Sequence, residues 1–105
     1  MDKLHALSQF ACFGELWDEA ITVIAACPDS QEGEYILTKT VFRQVLERAI
    51  NGEIDFDDLV LWASVLESRQ DIDESAVEGA VYALSNHEQM GELTKMTLVR
   101  LLALV

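Results

Sequence analysis

One proline, five glycines and two cysteines in 105 residues leave this chain short of turn-formers and of staples. So few turn residues argue against an all-β fold, which needs many tight turns. Cys12 and Cys27 lie in apolar, helix-like surroundings and read as buried thiols in a reducing compartment, not as a disulfide framework. Bases are scarce too: seven Lys and Arg are scattered along the chain, so there is no basic patch for phosphates and no direct nucleic-acid ligand is expected. The longest apolar runs, 20–27 and 101–105, fall far short of the roughly 20 residues of a membrane span. Met1-Asp2-Lys3 shows no cationic leader followed by an apolar stretch, so the expected location is the cytoplasm.

What the chain has in excess is acid, and it is unevenly placed. Nineteen Asp and Glu give a net charge of −12. Residues 53–78 hold nine carboxylates (Glu53, Asp55, Asp57, Asp58, Glu67, Asp71, Asp73, Glu74 and Glu78) against one base, Arg69, for a local net charge of −8. Like charges held close repel and cost stability, so such clustering suggests a use, most simply the attraction of a basic protein. The plainer reading is a set of solvated helix faces that confer solubility. Two acid-rich helix starts, Asp55 to Asp58 and Asp71 to Glu74, flank one short helix, and a fold that brings both to one side would make a binding surface.

Half of the residues are apolar, enough to bury one core in a single domain spanning 1–105. Apolar residues recur at helical spacing. Leu4, Leu7, Phe10 and Ala11 form one stripe, and Leu16, Trp17, Ala20, Ile21 and Ile24 form a second after Gly14, giving two helices or one bent helix. Residues 28–34 read as the main surface loop. Thr38 or Thr40 caps a third helix with Val41, Phe42, Val45, Leu46, Ala49 and Ile50 inward, stopping at Asn51-Gly52. Asp55 opens a fourth with Leu59, Trp62, Ala63 and Leu66 buried. Asp73 or Ser75 starts a fifth, with Ala76, Val77, Ala80, Val81 and Leu84 inward, and Thr94 caps a last one through Leu98, Leu101 and Leu102. The expected fold is all-α, a compact bundle of five or six short helices, with Trp17 and Trp62 as core anchors.

Motifs for chemistry are sparse. Residues 51–58 imitate the second half of a calcium-binding EF-hand loop, but the first and third loop positions would be Glu47 and Ala49, and the last would be Asp58 instead of a bidentate Glu. A helix stop, a turn and an acidic helix start explain the string without a metal. His5 and His87 have no partners at metal-ligand spacing. There is no nucleophile elbow and no glycine-rich phosphate loop, so neither catalysis nor a cofactor is expected. A pocket joining Cys12 or a carboxylate pair to a histidine would be needed to revive an enzyme.

From Val41 onward the chain carries I-N-G-E-I-D-x-x-D-L-x-x-W-A-x-x-x-E-S-R-x-D-I-D over residues 50–73, then G-E-L-T over 91–94 before a leucine-rich end. Through Gly52, Leu59, Trp62, Ala63, Arg69, Asp71, Ile72 and the turn at Gly91 it resembles the small acidic helical immunity proteins of bacterial contact-dependent growth inhibition and of colicin-like toxins. The resemblance covers about the last two thirds of the chain. It implies a non-catalytic monomer that binds one cognate toxin 1:1, often a basic nuclease, and covers its active site. The residues expected at the contact are Asp55, Asp57, Asp58, Glu67, Asp71, Asp73, Glu74 and Glu78, with Phe56 as an aromatic anchor or a hydrophobic staple of its helix. Two alternatives stay open. One is a helical adaptor or regulatory protein docking through an apolar groove, and the other is a nucleic-acid-mimic inhibitor of a host protein.

Overall fold

A computed structural model describes residues 2–26, 35–69, 71–86 and 93–105. Among them are six α-helices: α1 (Lys3–Ala11), α2 (Trp17–Ala26), α3 (Lys39–Ile50), α4 (Phe56–Ser68), α5 (Glu78–Ser85) and α6 (Lys95–Leu104). A short 3-10 turn, Ser75–Val77, leads into α5. The fold is all-α and small, as the periodicity implied. The expected loop at 28–34, together with Cys27, His87, Gly91 and Glu92, lies outside the described residues.

Helix boundaries follow local chemistry. Asp2, Thr38 and Thr94 cap α1, α3 and α6, each accepting a hydrogen bond from the backbone N–H three residues on. Helix α3 ends as its sequence demands: Gly52 adopts φ +84°, its N–H donates to the Ala49 carbonyl, and the Glu53 N–H donates to that of Arg48. The same closure ends α1, with a bulky residue where glycine is usual. Phe13 sits at φ 53°, while its N–H and that of Gly14 donate to the carbonyls of Phe10 and Gln9. Left-handed backbone is costly for a residue with a Cβ. The Phe13 ring recovers part of that cost by stacking on Trp17 at 4.3 Å between centroids, and Arg48 Nη1 donates to the Phe13 carbonyl at 2.8 Å.

Helix α1 packs on α2, α4 on α5, and α3 on α6, with α1 also reaching α4. The stripe Leu59, Trp62, Ala63 and Leu66 is wholly buried, and so are Leu7, Phe10, Phe42, Leu46, Leu84 and Leu98. Trp62 is the central side chain. Its ring stacks on Phe42 at 5.7 Å, and its indole N–H donates to the Phe10 carbonyl at 3.0 Å, joining α4 to α3 and α1. Some expected inward positions face out: Leu4 is 57% exposed, Leu16 sits at the surface, and Ala76 is exposed because α5 begins after the 3-10 turn.

Two strands of two residues escaped the periodicity. β1 (Tyr35–Ile36) pairs in parallel with β2 (Ile72–Asp73), in the register Tyr35 to Ile72 and Ile36 to Asp73. The Tyr35 N–H donates to the Asp71 carbonyl and the Leu37 N–H to that of Asp73, each at 2.9 Å. A parallel pair needs a long crossover, supplied here by α3 and α4. Asp73, expected as a helix start, is therefore a strand residue, and it turns the chain toward α5 by accepting the Ser75 N–H.

Trp62→Phe should lower stability by about 2–3 kcal/mol, because it removes the bond to Phe10 and opens a cavity at the junction of three helices. Urea unfolding followed by circular dichroism checks this, and an unchanged midpoint would deny Trp62 its central place.

Candidate functional site

The nine expected contact residues do not form one face. Asp55, Phe56, Asp57 and Asp58 lie at the start of α4, where the helix dipole favours the two aspartates of the first turn. Glu67 lies near the other end of α4, about 15 Å along the axis from Asp57 at 1.5 Å per residue. The two acid-rich starts thus stand at opposite ends of α4.

Asp71 does not belong to the surface at all. It is fully buried, and Arg69 grips it with two hydrogen bonds, Nε to Oδ1 at 2.8 Å and Nη2 to Oδ2 at 2.6 Å. Lys3 Nζ adds an ion pair at 3.3 Å. The hydrogen bond from Arg69 holds the carboxyl below the usual aspartate range against the opposing effect of burial, with help from Lys3. Asp71 is therefore withdrawn from the expected contact: a buried carboxylate held by Arg69 and Lys3 is not open to a binding partner. Charge counting along the chain could not detect this: Arg69 two residues away was a local signal, but the burial of Asp71 and the approach of Lys3 from the far end of the sequence are set in space.

What the fold gathers is a smaller group: Glu67 from α4, Asp73 from β2, Glu74, and Glu78 from the start of α5. Glu74 is at its centre. Its Oε2 is buried without a hydrogen-bond partner. Burial, reinforced by the charges of Glu67, Glu78 and Asp73, pushes its carboxyl up to about 7. The Asp73 carboxyl is drawn down instead by its hydrogen bonds from Ser75. Glu67 accepts a hydrogen bond from the Ser85 hydroxyl, tying α4 to α5. Among the described residues no Lys or Arg is within ion-pair distance of these four carboxylates, and a cationic side chain placed beside them would relieve both the repulsion and the unmet carboxylate oxygen.

The acids at the start of α4 have a different setting. Asp55 occupies the cap position but makes no side-chain capping bond. The staple positions around that cap are Ile54 and Leu59, both buried, so Phe56 is not the staple. Phe56 is half-buried against the core and lines a cleft of about 490 Å³ with Ala49, Ile50, Gly52, Ile54, Asp55 and Asp57. This accounts for the EF-hand-like string as a helix stop, a buried Ile54 and a helix start. Among the described residues no group of three or more His, Cys, Asp or Glu could hold a metal ion.

The bases explain why the acids dominate the outside. Arg48 donates to the carbonyls of Cys12 and Phe13 at the end of α1, Arg69 to that of Ile24 near the end of α2, and Arg43 to the main-chain oxygens of Leu102 and Val105 at the end of α6. Lys3 and Arg69 are spent on Asp71. Only Lys39, Lys95 and Arg100 among the seven bases are exposed. Elsewhere the Cys12 thiol lies 3.4 Å from the Tyr35 hydroxyl, whose acidity burial suppresses, its value rising to about 12; His5 is exposed at the start of α1. Among the described residues no helix is long and apolar enough to cross a membrane. No protein-family model, curated protein or solved structure matches the chain.

Two substitutions test these assignments. Asp71→Asn should cost about 3–5 kcal/mol by leaving buried cations uncompensated. It should also flatten the loss of stability on acidification below the normal aspartate range, since a depressed carboxyl stabilises only while ionised. Glu74→Gln should act oppositely. A raised carboxyl binds its proton more tightly in the folded state, so Glu74 costs stability as pH rises from about 4.5 to about 7. The Gln variant should gain about 1 kcal/mol at pH 7.5, after allowance for solvent screening, and nothing near pH 4.5. Thermal melts across that range read both, and a pH-independent gain for the Gln variant would deny that the Glu74 carboxyl is raised.

Proposed function

We propose that this chain is an immunity protein: a non-catalytic cytoplasmic monomer that binds a basic toxin, most simply a nuclease, and neutralises it by laying an acidic surface over the toxin's active site. One observation carries the reading. Four of the seven bases are turned inward, Lys3 and Arg69 to Asp71 and Arg48 and Arg43 to helix ends, and the eight other carboxylates of the segment 53–78 have no base in their own stretch of chain. Resemblance of the stretch from Val41 onward to small acidic immunity proteins points the same way. The contact residues on this reading are Glu67, Asp73, Glu74 and Glu78 at one end of α4, and Asp55, Asp57, Asp58 and Phe56 at the other. The carboxylates stand in for nucleic-acid phosphates on the toxin's Lys and Arg. Long-range attraction sets the speed of association, and desolvated contacts set its lifetime.

Co-expression with the product of the adjacent upstream reading frame tests this. Expected are a 1:1 complex, loss of that product's toxicity, and an association rate that falls at least tenfold between 20 mM and 500 mM salt while dissociation changes less. Replacing Asp57, Asp58, Asp73 and Glu78 with their amides should slow association to a similar extent. Undiminished toxicity, or an association rate indifferent to salt, would overturn the proposal.

A further inference from the structure

The recesses of this surface differ in the charge they present. The groove between α5 and α6, about 600 Å³, has both Glu78 and Lys39 on its lining, so its charges balance and name no occupant. The cleft at the turn from α3 to α4, about 490 Å³, is lined by Asp55 and Asp57 and, among the described residues, by no base. Its apolar walls are Ala49 and Ile50 from the last turn of α3, Ile54 from the connection, and Phe56 at the start of α4. Gly52 keeps it open: the residue sits at φ +84°, and nothing lies within 4 Å of where its Cβ would stand. The volume is in the range of sites that enclose small ligands, roughly 300–1,000 Å³.

Among the described residues nothing answers the two carboxylates on this lining. Neither is in an ion pair, and Asp55 makes no capping bond. Arg48, the nearest base along the chain, donates instead to the carbonyls of Cys12 and Phe13. The helix dipoles leave the balance where it was, since the start of α4 brings about half a positive charge and the end of α3 about half a negative one. An acidic occupant is repelled. A wholly apolar one fills the cleft but leaves the adjacent carboxylates dry and unpaired. A compact cation leaves Ile50 and Phe56 wet. A long basic side chain meets both needs, with its methylenes on the apolar walls and its charge on the aspartates. Between the two long bases the aromatic wall decides. A guanidinium is flat, less strongly hydrated than an ammonium, stacks on a ring and meets a carboxylate with two parallel bonds.

We propose that the cleft between α3 and α4 receives one arginine side chain of the partner, its stem against Ile50 and Phe56 and its guanidinium on Asp55 and Asp57. This rests on the reading of a basic partner and adds which side chain anchors that partner and where. Charge then selects a cation, and the ring of Phe56 selects arginine over lysine.

The probes are three peptides, acetyl-Gly-X-Leu-Gly-amide, with arginine, lysine or citrulline at X; citrulline has the shape of arginine without its charge. Each is titrated into the ¹⁵N-labelled full chain at about 50 mM salt, and the backbone amide shifts are followed. The arginine peptide should move the amides of residues 49–57 saturably, binding at least threefold more tightly than the lysine peptide and at least tenfold more tightly than the citrulline peptide. Phe56→Leu should remove the preference for arginine over lysine, and Asp57→Asn should weaken the arginine peptide at least threefold, with amide spectra unchanged outside the cleft showing the variants folded. Asp57→Asn carries the test alone if Phe56→Leu fails to fold. Absence of saturable shifts at 49–57, equal binding of the arginine and lysine peptides there, or full arginine binding by Asp57→Asn would overturn the proposal. Shifts that favour both cationic peptides but fall only around Glu67, Asp73, Glu74 and Glu78 remove the cleft and leave the basic partner standing. Equal binding of all three peptides removes the basic partner as well.

Discussion

A buried carboxylate organises this fold. Asp71 takes two hydrogen bonds from Arg69 and an ion pair from Lys3, and its backbone carbonyl accepts the Tyr35 N–H. Arg69 reaches past it to the Ile24 carbonyl. The start of α1, the end of α2, β1 and the connection from α4 to α5 therefore meet at one charge. Burying an ion pair repays its desolvation only when the geometry is good and the remaining hydrogen-bonding groups are met. Here the fork of the guanidinium fits the carboxylate, and its remaining nitrogen is used on a helix end. Removing one partner from such a cluster is costly, because it leaves a buried charge alone.

That use of cations has a consequence for the surface. Helices leave their last carbonyls unpaired, and the chain meets several of these with arginine from a neighbouring element: Arg48 on α1, Arg69 on α2 and Arg43 on α6. Each contact satisfies an acceptor and favours the negative end of a helix dipole. It also takes a positive charge off the outside. A chain of 19 acids and seven bases that spends four of those bases internally sharpens the negative excess of its exterior, and at Glu74 the charges of Glu67, Glu78 and Asp73 add to burial in raising the carboxyl. Stability and surface charge are thus set by the same residues.

Much of the architecture was legible because it is local. Leu59, Trp62, Ala63 and Leu66 announce one face of a helix, Thr38 and Thr94 announce starts, and Asn51-Gly52 announces a stop, all of which depend on residues within a turn or two. What was not legible depends on neighbours in space. Asp71 looked like one more surface acid because its burial, and the approach of Lys3 from the far end of the sequence, are set in space, although its other partner Arg69 stands two residues away. The pairing of Tyr35 with Ile72 rests on two residues a side, too short for alternation to register. Phe13 ends α1 in a conformation that sequence reasoning assigns to glycine, and only the Trp17 ring and Arg48 make it tolerable. Whether the acids share a face was equally hidden, since it turns on the length of α4 and not on the acids themselves.

The surviving acids keep a common feature: each group borders an apolar recess. Asp55 and Asp57 line the cleft that holds Phe56, and Glu78 lines the groove between α5 and α6. Exposed ion pairs are worth about 0–1 kcal/mol each, since water and salt screen them, so carboxylates on a convex surface could hasten an encounter and hardly prolong it. Beside a recess the balance changes. A partner that fills the apolar space excludes water from the adjacent carboxylates, and a cation held there acts through a lower effective dielectric. The same desolvation penalises any partner that brings no cation, because it leaves a carboxylate dry and unpaired. Acid beside apolar surface is therefore a sharper filter than acid alone, and the cleft at the start of α4 has that arrangement with no base among the described residues of its lining.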